Sequence, residues 1–180
     1  MTKILILPGI NNSGSEHWQT RWEQQNPHYT RIIQDDWDHP VCTTWAQRLE
    51  ETIVKMGSDT VLVAHSLACL MVAHWANTTQ LTLQGAFMVS VPDPNGSNFP
   101  SEAKGFSPLP TQPFSFPSLI VASTNDPYGT IEHSKQCAQY WGSDWISVGA
   151  LGHINASSGL GYWSQGQQLL EQFLKVTQRQ

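Results

Sequence analysis

Positive charge is scarce in this chain: nine lysines and arginines stand against fourteen aspartates and glutamates, a formal net charge of −5 at pH 7. A surface of that sign does not attract nucleic acid or an anionic membrane, and no basic cluster offsets it. Cysteine is also scarce. Cys42, Cys69 and Cys137 are far apart and form no Cys-x-x-Cys pair, so neither a zinc knuckle nor a disulfide framework is indicated. Long apolar runs are missing too: none approaches the roughly 18 residues of a membrane span, and Ile4 to Leu7 is too short for a signal-peptide core. These absences lead us to expect a soluble, cytoplasmic protein in a reducing compartment. With 39% hydrophobic and 13% charged residues and no polar tract, the 180-residue chain is expected to fold as a single domain over residues 1–180.

Apolar runs of strand length are present, and they alternate with helical patterns. Lys3 to Leu7 reads as a strand that ends at Pro8-Gly9, and Thr30 to Ile33 as a shorter one. Val61 to Val63, Gly85 to Val91, Ser118 to Ser123 and Trp145 to Val148 complete the set. Between them, helices are expected from Ser15, from Thr43 or Thr44 to Met56, directly after Ser66, from about Thr130 to Trp141, and in a final stretch that ends near Val176. Strands rich in Val, Ile and Leu that alternate with helices imply a parallel sheet covered on both faces, a three-layer α/β fold of about six mostly parallel strands. Seven of the eleven prolines fall within residues 92–117, which predicts a long loop there. In such folds ligands collect at the carboxyl ends of the strands.

The run Val61-Leu62-Val63-Ala64-His65-Ser66-Leu67-Ala68-Cys69 changes from strand-like to helix-like at Ser66. A serine on that bend, with small residues two places to either side, is the setting of a nucleophile elbow. A serine hydroxyl needs a base, and His153, in a turn after a late strand, is the best placed of seven histidines. Asp126 leaves the strand before it and can orient the imidazole. The chain order Ser66, Asp126, His153 is that of α/β-hydrolases. Oxyanion donors would be the backbone N–H groups of Leu67 and of Ile10, with Asn11 next. Gly9 and Gly14 have the spacing of a phosphate loop, but Ser15 and Glu16 stand where lysine and serine or threonine belong. Asp35, Asp36, Asp38, His39 and Cys42 mix hard and soft ligands with no recognised spacing and read as a solvated loop, so no metal site is assigned. Of the eight tryptophans most should be core, while Trp18, Trp37 and Trp163, with Phe106 of the proline-rich loop, are candidates to line a substrate pocket.

Taken together, Leu7-Pro8-Gly9 with Trp18 and Trp22, Asp36-Trp37-Asp38-His39-Pro40 with Trp45, the Ala-His-Ser-Leu-Ala elbow, Ser123 to Tyr128, and Gly152-His153-Ile154-Asn155 resemble the small serine hydrolases grouped with YdeN and retinoblastoma-binding protein nine. The resemblance covers nearly the full chain. It implies a compact α/β-hydrolase fold without a separate cap domain, and a triad of Ser66, Asp126 and His153. It also implies hydrolysis of small esters or amides without metal or cofactor. Protein partners are known for members of that family, so a binding role is the alternative. The chain departs from the family at Ala64, where the elbow usually carries glycine.

Overall fold

The computed structural model describes residues 1–178. Six strands form one sheet in the order β2-β1-β3-β4-β5-β6, with every neighbouring pair parallel: β1 (Lys3–Leu7), β2 (Thr30–Arg31), β3 (Thr60–His65), β4 (Gly85–Val89), β5 (Ser118–Ala122) and β6 (Asp144–Ser147). Five α-helices accompany it: α1 (Trp18–Gln25), α2 (Cys42–Met56), α3 (Leu67–Ala76), α4 (Ile131–Trp141) and α5 (Ser164–Thr177).

Alternate residues along the strands divide the apolar interior in two. Leu5, Leu7, Leu62, Ala64, Met88 and Ile120 face a core shared with α2, α3 and α4. Ile4, Ile6, Val61, Val63, Phe87 and Val121 face the other, shared with α1 and α5. Both faces being covered explains why the strands read as unbroken apolar runs. Each fully buried side chain of this size contributes about 1.5–3 kcal/mol of transfer free energy. Helix α3 is buried almost all round, a wider contact than its expected stripe, since it packs between the sheet, α2 and the segment after β4. Of its partly exposed members, His74 and Ala76, the first pairs through Nε2 with the Phe106 carbonyl at 3.0 Å.

Several boundaries differ from expectation for local reasons. Strand β2 stops at Arg31, where the guanidinium is held by Glu23, Thr20, Asn12 and the Ser13 carbonyl; Ile33 then points to solvent. Strand β4 stops before Ser90, which turns to φ 58°. Helix α1 begins at Trp18 rather than Ser15, because His17 Nδ1 caps it by accepting the Gln19 amide. Residues 92–117 contain no helix or strand, only a bridge between Val41 and Lys104. That bridge, with Cys42 N–H donating to Lys104 O and Lys104 N–H to Pro40 O, both at 2.9 Å, ties the segment to the β2–α2 loop.

Candidate active site

The site is built where β1, β3, β5 and β6 end together. Ser66 follows β3 directly at φ 56° and ψ −124°, and α3 starts at the next residue. A non-glycine residue in that region is strained, and the strain is kept because the surroundings enforce it. Ala64 and Ala68 are fully buried, so a methyl group fits at both places, including Ala64, where such an elbow usually carries glycine. The tight approach at the elbow lies at Gly9 instead. A Cβ on Gly9 would come within 3.1 Å of the His65 carbonyl oxygen and 3.2 Å of Ser66 Cβ, so the loop after β1 rests directly on the elbow.

The loops that leave β5 and β6 are stitched to one another. Thr124 N–H donates to Gly149 O at 2.9 Å, Leu151 N–H to Ser123 Oγ at 2.9 Å, and Gly152 N–H to Asn125 Oδ1 at 2.7 Å. This brings Asp126 and His153 together: Nδ1 of His153 lies 2.8 Å from Asp126 Oδ1 and 3.0 Å from Oδ2. Its Nε2 lies 2.7 Å from Ser66 Oγ. The His153 and Asp126 side chains are only 10% and 3% exposed, so their hydrogen bonds meet little competition from water. Asp126 also accepts the Tyr128 amide, a turn bond, while the following helix is capped by Thr130.

Two buried side chains fix the His153 loop against the sheet. Trp18 Nε1–H donates to Ile154 O at 2.8 Å. His65 Nε2 meets His153 O at 3.0 Å, and a carbonyl only accepts, so that nitrogen carries the proton. Burial holds the His65 imidazole well below its ordinary pKa, with His17 and His153 adding to the effect. Burial, the Arg31 guanidinium and His153 likewise push His17 down to about 3. Both rings are therefore neutral at pH 7. Gln19, with no exposed surface, joins the ends of two strands: its Nε2 donates to Leu7 O and Val63 O at 3.1 Å, and its Oε1 accepts Ser13 Oγ–H at 2.7 Å.

A cavity of about 620 Å³ opens over Ser66 and His153. Among the described residues, the Ile10 and Leu67 amides beside it donate to no protein acceptor, as befits a loop turn and the first residue of a helix. The Asn11 amide is different: it donates to Trp37 O at 2.8 Å and is spent on holding the loop, which corrects its expected place among the oxyanion donors. The four aromatic pocket candidates need correction as well. Trp18 and Trp163 are in the core beneath α1 and α5, and Phe106 and the half-buried Trp37 pack edge-on against Trp45. None lines the cavity; each packs instead in or against the apolar interior, where burial of a large ring is favourable. The loop after β2 spends its carboxylates locally: Asp35 pairs with Arg48, and Asp36 accepts the Asp38 and His39 amides, which lower its pKa.

The family described as serine hydrolase matches residues 4–172. The chain belongs to that family. A YdeN-like hydrolase from Pectobacterium atrosepticum is 29% identical, with 98% of this chain and 92% of that one covered and a TM-score of 0.86. The ydeN gene product of B. subtilis is 21% identical over 97% of this chain and all of that one (100%), with a TM-score of 0.74. A thermophilic esterase from Thermogutta terrifontis shares the fold at 13% identity and a TM-score of 0.72, over 98% of this chain and 90% of that one. Among curated proteins none matches this serine hydrolase significantly. Among the described residues no helix is long and apolar enough to cross a membrane.

Proposed function

We propose that this serine hydrolase cleaves small carboxylic esters, or the corresponding amides, through an acyl-enzyme at Ser66. The observation that carries the reading is the unbroken series Ser66 Oγ, His153 Nε2, His153 Nδ1, Asp126, with steps of 2.7 and 2.8 Å. With Asp126 as acceptor, Nδ1 holds the proton and Nε2 is free to take the one from Ser66. The hydroxyl then attacks the ester carbonyl, and Asp126 stabilises the imidazolium that forms. The Ile10 and Leu67 amides receive the oxyanion, each donor being worth on the order of 3 kcal/mol. His153 returns the proton to the leaving alcohol. Water, deprotonated by the same ring, releases the acid and restores Ser66.

The modest cavity and the pinning of residues 92–117 support small substrates over long lipids. Three buried, unpaired cysteines support a reducing, cytoplasmic setting. A protein that only binds partners has no need of the serine–histidine–aspartate series, which favours catalysis over the binding role.

A fluorophosphonate probe tests the reading. It is expected to label the wild type and to leave folded Ser66→Ala unlabelled. Equal labelling of both proteins, or none of a folded wild type, would overturn it.

A further inference from the structure

The proline-rich segment and the β2–α2 loop, joined at Val41 and Lys104, form one side of the cavity mouth. Asp38 lies two residues before Pro40 and Glu102 two before Lys104, on the two segments that the backbone bonds at that junction tie together. Both line the cavity and both are exposed. Among the described residues neither is in an ion pair. No lysine or arginine lines the cavity. Of the cations linked to the mouth by sequence or contact, Arg31 behind Asn12 is paired with Glu23, and Lys104 lies outside the lining. His39 lines the mouth with its Nδ1 at 3.3 Å from Asp36, a further carboxylate beside it. Asn12, Asn98 and Asn155 supply neutral polar lining.

We infer that the mouth selects substrates by charge, favouring cationic over neutral and neutral over anionic esters, through Asp38 and Glu102. This rests on the hydrolase reading above. A charged group about 10 Å from one carboxylate in a water-like medium gains or loses about a factor of two. Two carboxylates therefore give about fourfold between cationic and neutral substrates, and about sixteenfold between cationic and anionic ones. Both carboxylates face solvent, so salt should erase most of the effect.

The test compares kcat/KM for three acetates of matched size: acetylcholine, its uncharged carbon isostere 3,3-dimethylbutyl acetate, and the acetate of 2-hydroxyethanesulfonate. A second series places the same charges on the acyl chain of a methyl ester. Each is measured at about 10 mM and about 0.5 M salt. The preference is expected at low salt in at least one series, to shrink at high salt, and to fall about twofold in Asp38→Asn and in Glu102→Gln and about fourfold in the double variant. Ratios between substrates are the readout, so a general loss of activity in a variant cancels. Flat ratios in both series, or ratios unmoved in the double variant, overturn the inference while Ser66-dependent turnover of the neutral ester stands. If no ester in either series is turned over, the hydrolase reading itself fails.

Discussion

Replacing Gly9 by alanine should slow turnover about tenfold and cost about 1 kcal/mol of stability. The added Cβ meets the His65 carbonyl oxygen at 3.1 Å, Ser66 Cβ at 3.2 Å and the Leu67 nitrogen at 3.4 Å. All three atoms belong to the elbow's backbone or to the root of a side chain, so none can swing away. The loop has to retreat by a few tenths of an ångström, and the Ile10 amide retreats with it. Complete loss of one oxyanion donor costs on the order of 10²–10³ in kcat. A donor displaced but still present should cost roughly tenfold, or about 1.4 kcal/mol. Overpacking costs about 1–3 kcal/mol of stability, partly offset by the stiffer unfolded chain that alanine gives, so a net loss near 1 kcal/mol is expected. Gly14 in the same loop is the control, since a Cβ there meets nothing within 4 Å. The assay is kcat and KM for p-nitrophenyl acetate, with the fluorophosphonate labelling rate and Tm of each variant. Wild-type kcat and labelling in Gly9→Ala would refute the placement of the oxyanion donor on this loop.

Two further outcomes follow from buried polar groups. Gln19→Leu removes the donor to Leu7 O and Val63 O and the acceptor of Ser13 Oγ–H, and should cost about 2–4 kcal/mol in urea unfolding; a loss below about 0.5 kcal/mol would contradict the bracing role. Stability should also fall in acid. His17 and His65 have folded pKa values below the ordinary 6.5, His17 at about 3, so the unfolded chain binds more protons once the pH drops below 6.5. Their contribution is complete above pH 6.5 and is lost progressively on acidification, for His17 levelling off near pH 3. The slope is at most about 1.4 kcal/mol per pH unit for each ring, so unfolding free energies at pH 7.5 and 5.5 should differ by about 2.7 kcal/mol, a difference that shrinks in His17→Gln. A flat profile across that window would contradict neutral burial.

Much of this architecture is legible in the sequence because its signals are local. Period and composition mark six strands, and the bend at Ser66 shows as a switch of period within a few residues. Asp126 and His153 are legible only jointly, since each alone reads as a turn residue and Asp126 does make a turn bond. What is not legible depends on which partner wins a competition in space. The Asn11 amide is lost to the Trp37 carbonyl across the sheet edge, and Trp18, a plausible pocket wall, is drawn inward to pin Ile154. Gln19 carries no motif, and Asn125 is legible only as a member of the Ser123 to Tyr128 run; their roles come from strands and loops that meet only on folding. Gly9 does carry a signal, as a glycine in the Pro8-Gly9 pair that ends a strand, where a close approach of backbone is a standing reason for the residue.

The central claim is a covalent acyl intermediate on Ser66, and its most direct measurement combines rapid mixing with p-nitrophenyl acetate and peptide mass mapping of the quenched enzyme. The account predicts a burst of nitrophenol that scales with enzyme concentration, an acetyl group on the peptide at Ser66 Oγ, and loss of both in Ser66→Ala and His153→Ala. Turnover by the wild type that persists in Ser66→Ala, or an acetyl group that maps only to other side chains, would contradict it.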